Sequence, residues 1–149
     1  MKKFLLPLLL ALAGAPAFAQ GPVPHAQPDK NDDTIVLTLP DEGDVAWQRA
    51  AAVLVARGYT FRYSDADLLA LSTDYSEFTL TSNISIFVLV QGHRLLLRGR
   101  CLTGLTPPSN AQAIRRGGFL GGTSNDWTEL EAVAQLLGGT AAYYDSAAR

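Results

Sequence analysis

Apolar positions recur with period two along the first ordered stretch. Ile35, Leu37 and Leu39 stand against Val36 and Thr38, which predicts a strand over Thr34 to Leu39. Pro40 ends that ladder, and Asp41, Glu42 and Asp44 place acids where a helix dipole favours them. Over Val45 to Arg57 the period becomes helical. Trp47, Ala50, Ala51 and Leu54 follow i, i+3, i+4, i+7 spacing, and Gly58 is the stop. The small residues on that stripe let the helix lie close to a sheet. Tyr59, Phe61 and Tyr63 alternate with Thr60 and Arg62 as a second strand, Ser64 to Asp67 is a turn, and Leu68 to Thr73 is a third strand.

Phe78 to Val90 is rich in β-branched and aromatic residues, with a bend at Ser82-Asn83, and predicts a fourth strand. Gln91-Gly92-His93 suits a tight hairpin into a fifth strand, Arg94 to Leu102. There the unbroken Leu95-Leu96-Leu97 implies cover on both faces. Thr103 to Asn125 holds two prolines and five glycines and reads as a long loop. Asp126-x-x-Glu129 resembles a helix-start cap. Trp127, Leu130, Val133, Ala134 and Leu137 form the apolar stripe of a second helix that stops at Gly138-Gly139. The order is β-α-β-β-β-β-α. Contiguous strands make this an α+β fold, an antiparallel sheet with both helices packed on one face.

The single α+β domain is expected over residues 34–139, with 140–149 as a C-terminal tail. Residues 20–33 carry three prolines and no periodicity, which predicts a flexible linker. Ahead of it, Met1-Lys2-Lys3, the apolar run Phe4 to Leu12 and the small residues of Ala17-Phe18-Ala19 form a cleavable signal peptide, residues 1–19. The apolar run is too short for a spanning helix and contains Pro7, so no membrane span is expected after cleavage. The protein is therefore read as exported, to the periplasm or the exterior.

The helix with Trp47, the acidic turn Asp65-Ala66-Asp67, the hairpin at Gln91-Gly92-His93-Arg94 and the helix from Trp127 resemble a bacterial exported domain of unknown function with a TATA-binding-protein-like fold. The resemblance spans about residues 34–138. It implies a fold and supplies no activity, so no functional residue is carried over from it.

Charge narrows the partners. Cleavage removes Lys2 and Lys3 from 12 basic residues set against 14 acidic ones, so the mature chain has net charge −4. A mildly acidic exported domain has no electrostatic reason to bind nucleic acid or anionic lipid. Cys101 is the only cysteine, which rules out an intramolecular disulfide. It ends an apolar strand and reads as a small buried hydrophobe rather than a nucleophile.

Catalytic chemistry finds little footing. His25 lies in the linker, which leaves His93 as the one histidine in the domain, and no Gly-x-Ser-x-Gly elbow occurs. Asp65, Asp67 and Asp74 read as solvated turn acids, because the glycine and glutamate of a calcium loop are missing. No metal and no cofactor are expected. Arg115-Arg116 followed by Gly117-Gly118 and Gly121-Gly122 is a cationic loop entering a helix. It lacks the lysine and spacing of a phosphate loop.

The leading reading is a non-enzymatic binding or interaction module of the cell envelope. Its partner is an unspecified envelope protein or ligand, met by Arg98 and Arg100 on a sheet face and by Arg115 and Arg116 in the loop. Arg62 and Arg94 decorate the same face. A small hydrolase using His93 or an acidic pair such as Asp74 and Glu77 is the rival. A subunit that self-associates through an exposed strand edge is the third reading.

Overall fold

A computed structural model describes residues 23–80, 82–103, 110–118 and 121–147. The expected leader lies outside them. The chain runs β1 (Thr34–Thr38), α1 (Gly43–Ala56), β2 (Phe61–Asp65), β3 (Ala70–Thr73), β4 (Ser76–Thr79), β5 (Ser82–Gln91), β6 (Arg94–Thr103), β7 (Asn110–Ala113), α2 (Asn125–Leu137) and β8 (Thr140–Tyr144). All pairings are antiparallel, in the order β2-β3-β5-β6-β1-β8. β4 continues along β5 beyond β3, and β7 continues along β6 beyond β1. The fold is α+β, as the alternating and helical patterns indicate.

The sheet is built around the β5–β6 hairpin, whose ten-residue register runs from Ser82↔Thr103 to Gln91↔Arg94. A two-residue turn, Gly92-His93, closes it. Gly92 takes φ +59°, a left-handed value that glycine adopts at little cost. Residues directly opposite one another in a sheet share a face. One face presents Ile35 and Leu37, Ile84, Ile86, Val88 and Val90, and Leu95 and Leu97, all buried.

Both helices cover that face. Ala46, Ala50 and Leu54 of α1 and Trp127, Leu130, Val133 and Leu137 of α2 enter the same cluster. On α1 the fully buried line is centred one residue before the expected stripe, and Trp47 and Ala51 are only partly buried beside it. α1 ends at Ala56, and Gly58, two residues on, takes φ +88°.

Glu129 of α2 is buried and ion-paired. It accepts from Arg57 Nε at 2.8 Å, from Arg57 Nη2 and from the Tyr59 hydroxyl at 3.1 Å. This network ties the end of α1 to α2 across the sheet face. Burial first, then the Glu129 charge, push the Tyr59 phenol far above its ordinary value.

Several local expectations change. The cap of α2 is Ser124, whose Oγ accepts from the Trp127 N–H at 3.2 Å, and not Asp126. Glu129, the supposed reciprocal partner, is turned inward to Arg57 instead. The long loop contains β7. The tail contains β8, which pairs with β1 along its whole length. Gly138 and Gly139, at φ +77° and +84°, reverse the chain there, and a Cβ on Gly139 would stand 2.4 Å from the Thr38 carbonyl oxygen.

The segment expected as a linker is held to the domain from His25 onward. His25 exchanges backbone hydrogen bonds with Tyr143 at 2.9 and 2.8 Å, and its Nε2 meets the buried Asp32 carboxylate at 2.8 Å. Local composition said nothing of these long-range partners. No helix among the described residues is long and apolar enough to cross a membrane.

Candidate functional site: the open sheet face

Among the described residues no helix covers the second face of the sheet, and its composition follows from register. One row reads Ala70, Leu89, Leu96, Val36 and Ala142 across five strands, an apolar strip. The next reads Ser72, Phe87, Arg98, Thr34 and Tyr144, and the one after it Ser85, Arg100 and Ala113. Over these last two rows lies a cavity of about 410 Å³, closed at one side by Asp33 and Ser146. That volume is within the range of small-molecule sites.

The two arginines of the cavity are in different states. Arg98 is committed to the protein. Its Nε donates to Thr34 Oγ1 and its Nη2 to the Tyr144 hydroxyl, both at 2.8 Å, and its guanidinium carbon lies 5.7 Å from the Tyr144 ring centre. Asp33, 6% exposed, balances it. Burial alone would raise the Asp33 carboxyl. Hydrogen bonds from Ser146 Oγ (2.6 Å), the Ser146 N–H (3.0 Å) and Thr34 Oγ1 (2.8 Å), together with the Arg98 charge, outweigh it and hold the carboxyl below its ordinary value. Asp33 is thus an anion at neutral pH.

Arg100 is different. It is exposed on β6 and makes no hydrogen bond or ion pair among the described residues. Beside it, Ser85 donates its hydroxyl proton to the Thr73 carbonyl at 2.7 Å, which leaves the oxygen lone pairs to accept from outside. Phe87, half-buried, supplies an aromatic surface in the next row.

The sequence-predicted site residues separate in space. Arg98 and Arg100 meet in the cavity. Arg115 donates to the Asn31 carbonyl at 2.8 Å and pairs with Asp145 at 3.4 Å, pinning the entering and leaving segments of the domain. Arg116 exchanges backbone bonds with Asp32 and Ser124, and its Nε is buried without a hydrogen-bond partner among the described residues. Neither lines the cavity. Phe119 and Leu120 of that loop lie outside the described residues.

His93 stands on the β5–β6 turn, its side chain 55% exposed, with Nε2 3.2 Å from a Glu42 carboxylate oxygen. Cys101 is buried. Burial, then the charge and hydrogen bonding of Asp126, raise its thiol and keep it protonated. Asp65 organises its turn, accepting from the Leu68 and Asp67 N–H groups and the Tyr63 hydroxyl, and these hydrogen bonds lower its carboxyl. No group of His, Cys, Asp and Glu among the described residues is arranged to hold a metal ion.

Reading the sequence missed Ser72, Ser85, Phe87, Asp33 and Ser146. The signal for Ser85 and Phe87 was present, because alternation along β5 places them opposite to Ile84, Ile86 and Val88. Asp33 and Ser146 reach the cavity from the two ends of the domain, and no spacing announces that. No family model matches the chain, and no curated protein matches it closely enough to be counted a relative.

Proposed function

We propose that this chain is an exported, non-enzymatic binding module of the cell envelope, with its ligand held on the open face of the sheet. The carrying observation is the cavity of about 410 Å³ in which Arg100 has no partner among the described residues, beside an Arg98 already held by Thr34 and Tyr144. A solvated strand surface has no need of an ordered Asp33–Ser146 wall or of an arginine fixed at two of its nitrogens. The leader pattern of residues 1–19 supports export. The position of His93, on a hairpin tip away from the cavity, supports binding rather than hydrolysis.

The test is amide NMR of the isotope-labelled protein titrated with small-molecule extract of the host envelope. Shift changes clustered on Ser85, Phe87, Arg98 and Arg100, and lost in Arg100→Ala without unfolding, are the expected result. A spectrum that does not move, or moves only around other elements, overturns the proposal.

A further inference from the structure

We infer that the occupant of this cavity is a small free monocarboxylic acid with an aromatic or aliphatic body. This rests on the open-face reading above and specifies its ligand. Besides Arg100, the charged groups on or beside this face are Arg98, Asp33, Glu77, Arg94 and Asp65, the last opposite Ala70 on the far side of β3, while Arg115 and Asp145 pair with each other next to Ser146. Arg98 and Asp33 cancel each other. Glu77, opposite Asn83, is exposed and stands two strands from Arg100, about 10 Å at strand spacing, where solvent and salt screen it. Arg94 sits three rows away, opposite Thr38 and Gln91.

The cavity therefore presents one uncompensated positive charge, matched by one negative charge. A dianion such as a phosphate monoester would leave its second charge without a cationic partner in the cavity. Arg100 also offers the planar fork that takes a carboxylate through two parallel hydrogen bonds. Beside it, Phe87 and Ala113 give the acid an apolar bed. The Ser85 oxygen, its proton spent on Thr73, accepts from a hydroxyl or amine on the same ligand.

The probes are phenylacetate, acetate, benzyl alcohol and phenyl phosphate, titrated into the full protein with amide shifts as the readout. Phenylacetate is expected to saturate at Arg100, Phe87 and Ser85. Acetate lacks the body and benzyl alcohol lacks the charge, so each should bind at least about tenfold more weakly. Phenyl phosphate should bind no more tightly than phenylacetate. Arg100→Gln should weaken phenylacetate by about tenfold or more, the loss of a charge-assisted pair. Arg49→Gln, which removes the same charge from α1, should leave it unchanged.

Benzyl alcohol or acetate binding as well as phenylacetate, or tighter binding of phenyl phosphate, overturns the acid assignment and leaves the binding face standing. Failure of phenylacetate to shift the cavity residues at millimolar concentration overturns it too. If the envelope extract also fails, the binding-module reading falls with it.

Discussion

Replacing Arg57 by Met tests what joins the two helices. Glu129 is 6% exposed and accepts three hydrogen bonds, two of them from Arg57. Without Arg57 the carboxylate keeps only the Tyr59 hydroxyl. Removing one partner from a buried ion pair costs about 3–5 kcal/mol, chiefly because the remaining charge is left unpaired. The Arg57 side chain is itself 30% exposed, so water reaches the gap and the low end applies, about 3 kcal/mol. For a domain of this size that lowers Tm by roughly 10 °C.

Urea unfolding followed by tryptophan fluorescence reads the loss directly, since Trp127 is fully buried on the same helix. The mechanism makes a second, sharper statement. Arg57→Met combined with Glu129→Leu leaves no buried charge and should be more stable than Arg57→Met alone. Simple addition of the two single costs, or an Arg57→Met loss below about 0.5 kcal/mol, which is ordinary for surface changes, would refute this account.

Two further predictions follow from groups already described. Asp33 has a depressed carboxyl, so the unfolded chain binds its proton more readily. Its stabilisation is complete above the unfolded value of about 4 and drains away as pH falls through the lower folded value. Thermal melts of Asp33→Asn should accordingly show a shallower decline below about pH 4 than the parent, and identical acid limbs would contradict the role given to Ser146 and Thr34. The Cys101 thiol, buried and raised, should resist a thiol reagent at pH 8 in the native protein and react fully in urea. Rapid labelling without denaturant would show that the thiol is open.

The elements legible in the sequence are those whose periodicity is enforced by one buried face. β5 is the clearest, since Ile84, Ile86, Val88 and Val90 alternate with residues of the other face. The α2 stripe of Trp127, Leu130, Val133, Ala134 and Leu137 is likewise buried as its spacing requires. β8 escaped because Thr140 to Tyr144 is short and ordinary, and becomes a strand only by lying against β1 after the Gly138-Gly139 reversal. The Ser124 cap was overlooked because Asp126-x-x-Glu129 imitates one, while Glu129 is drawn inward by Arg57.

Half of the arginine set lies away from the cavity for a related reason. Arg98 and Arg100 share a face by the period-two rule, which is geometry a sequence encodes. Arg115 and Arg116 stand out in the sequence by local charge alone, and their partners Asn31, Asp32 and Asp145 lie far away along the chain.

The two faces of the sheet divide the work, and one residue shows how they are linked. Gly99 lies between Arg98 and Arg100 on β6, facing the helices, where a Cβ would stand 2.5 Å from Ile114 Cδ1 and 3.1 Å from Leu130. The core closes onto the bare backbone at the very point from which the two arginines leave on the opposite side. Their spacing is thus set by helix packing beneath them and not by their own contacts alone. The largest fully buried side chains lie on the helix side of the sheet, whereas Arg100 faces solvent, so losing its side chain opens no cavity in the core. Stability and the proposed recognition are therefore separable at Arg100 and coupled at Gly99, because of the two only the glycine is shared between the packed face and the open one.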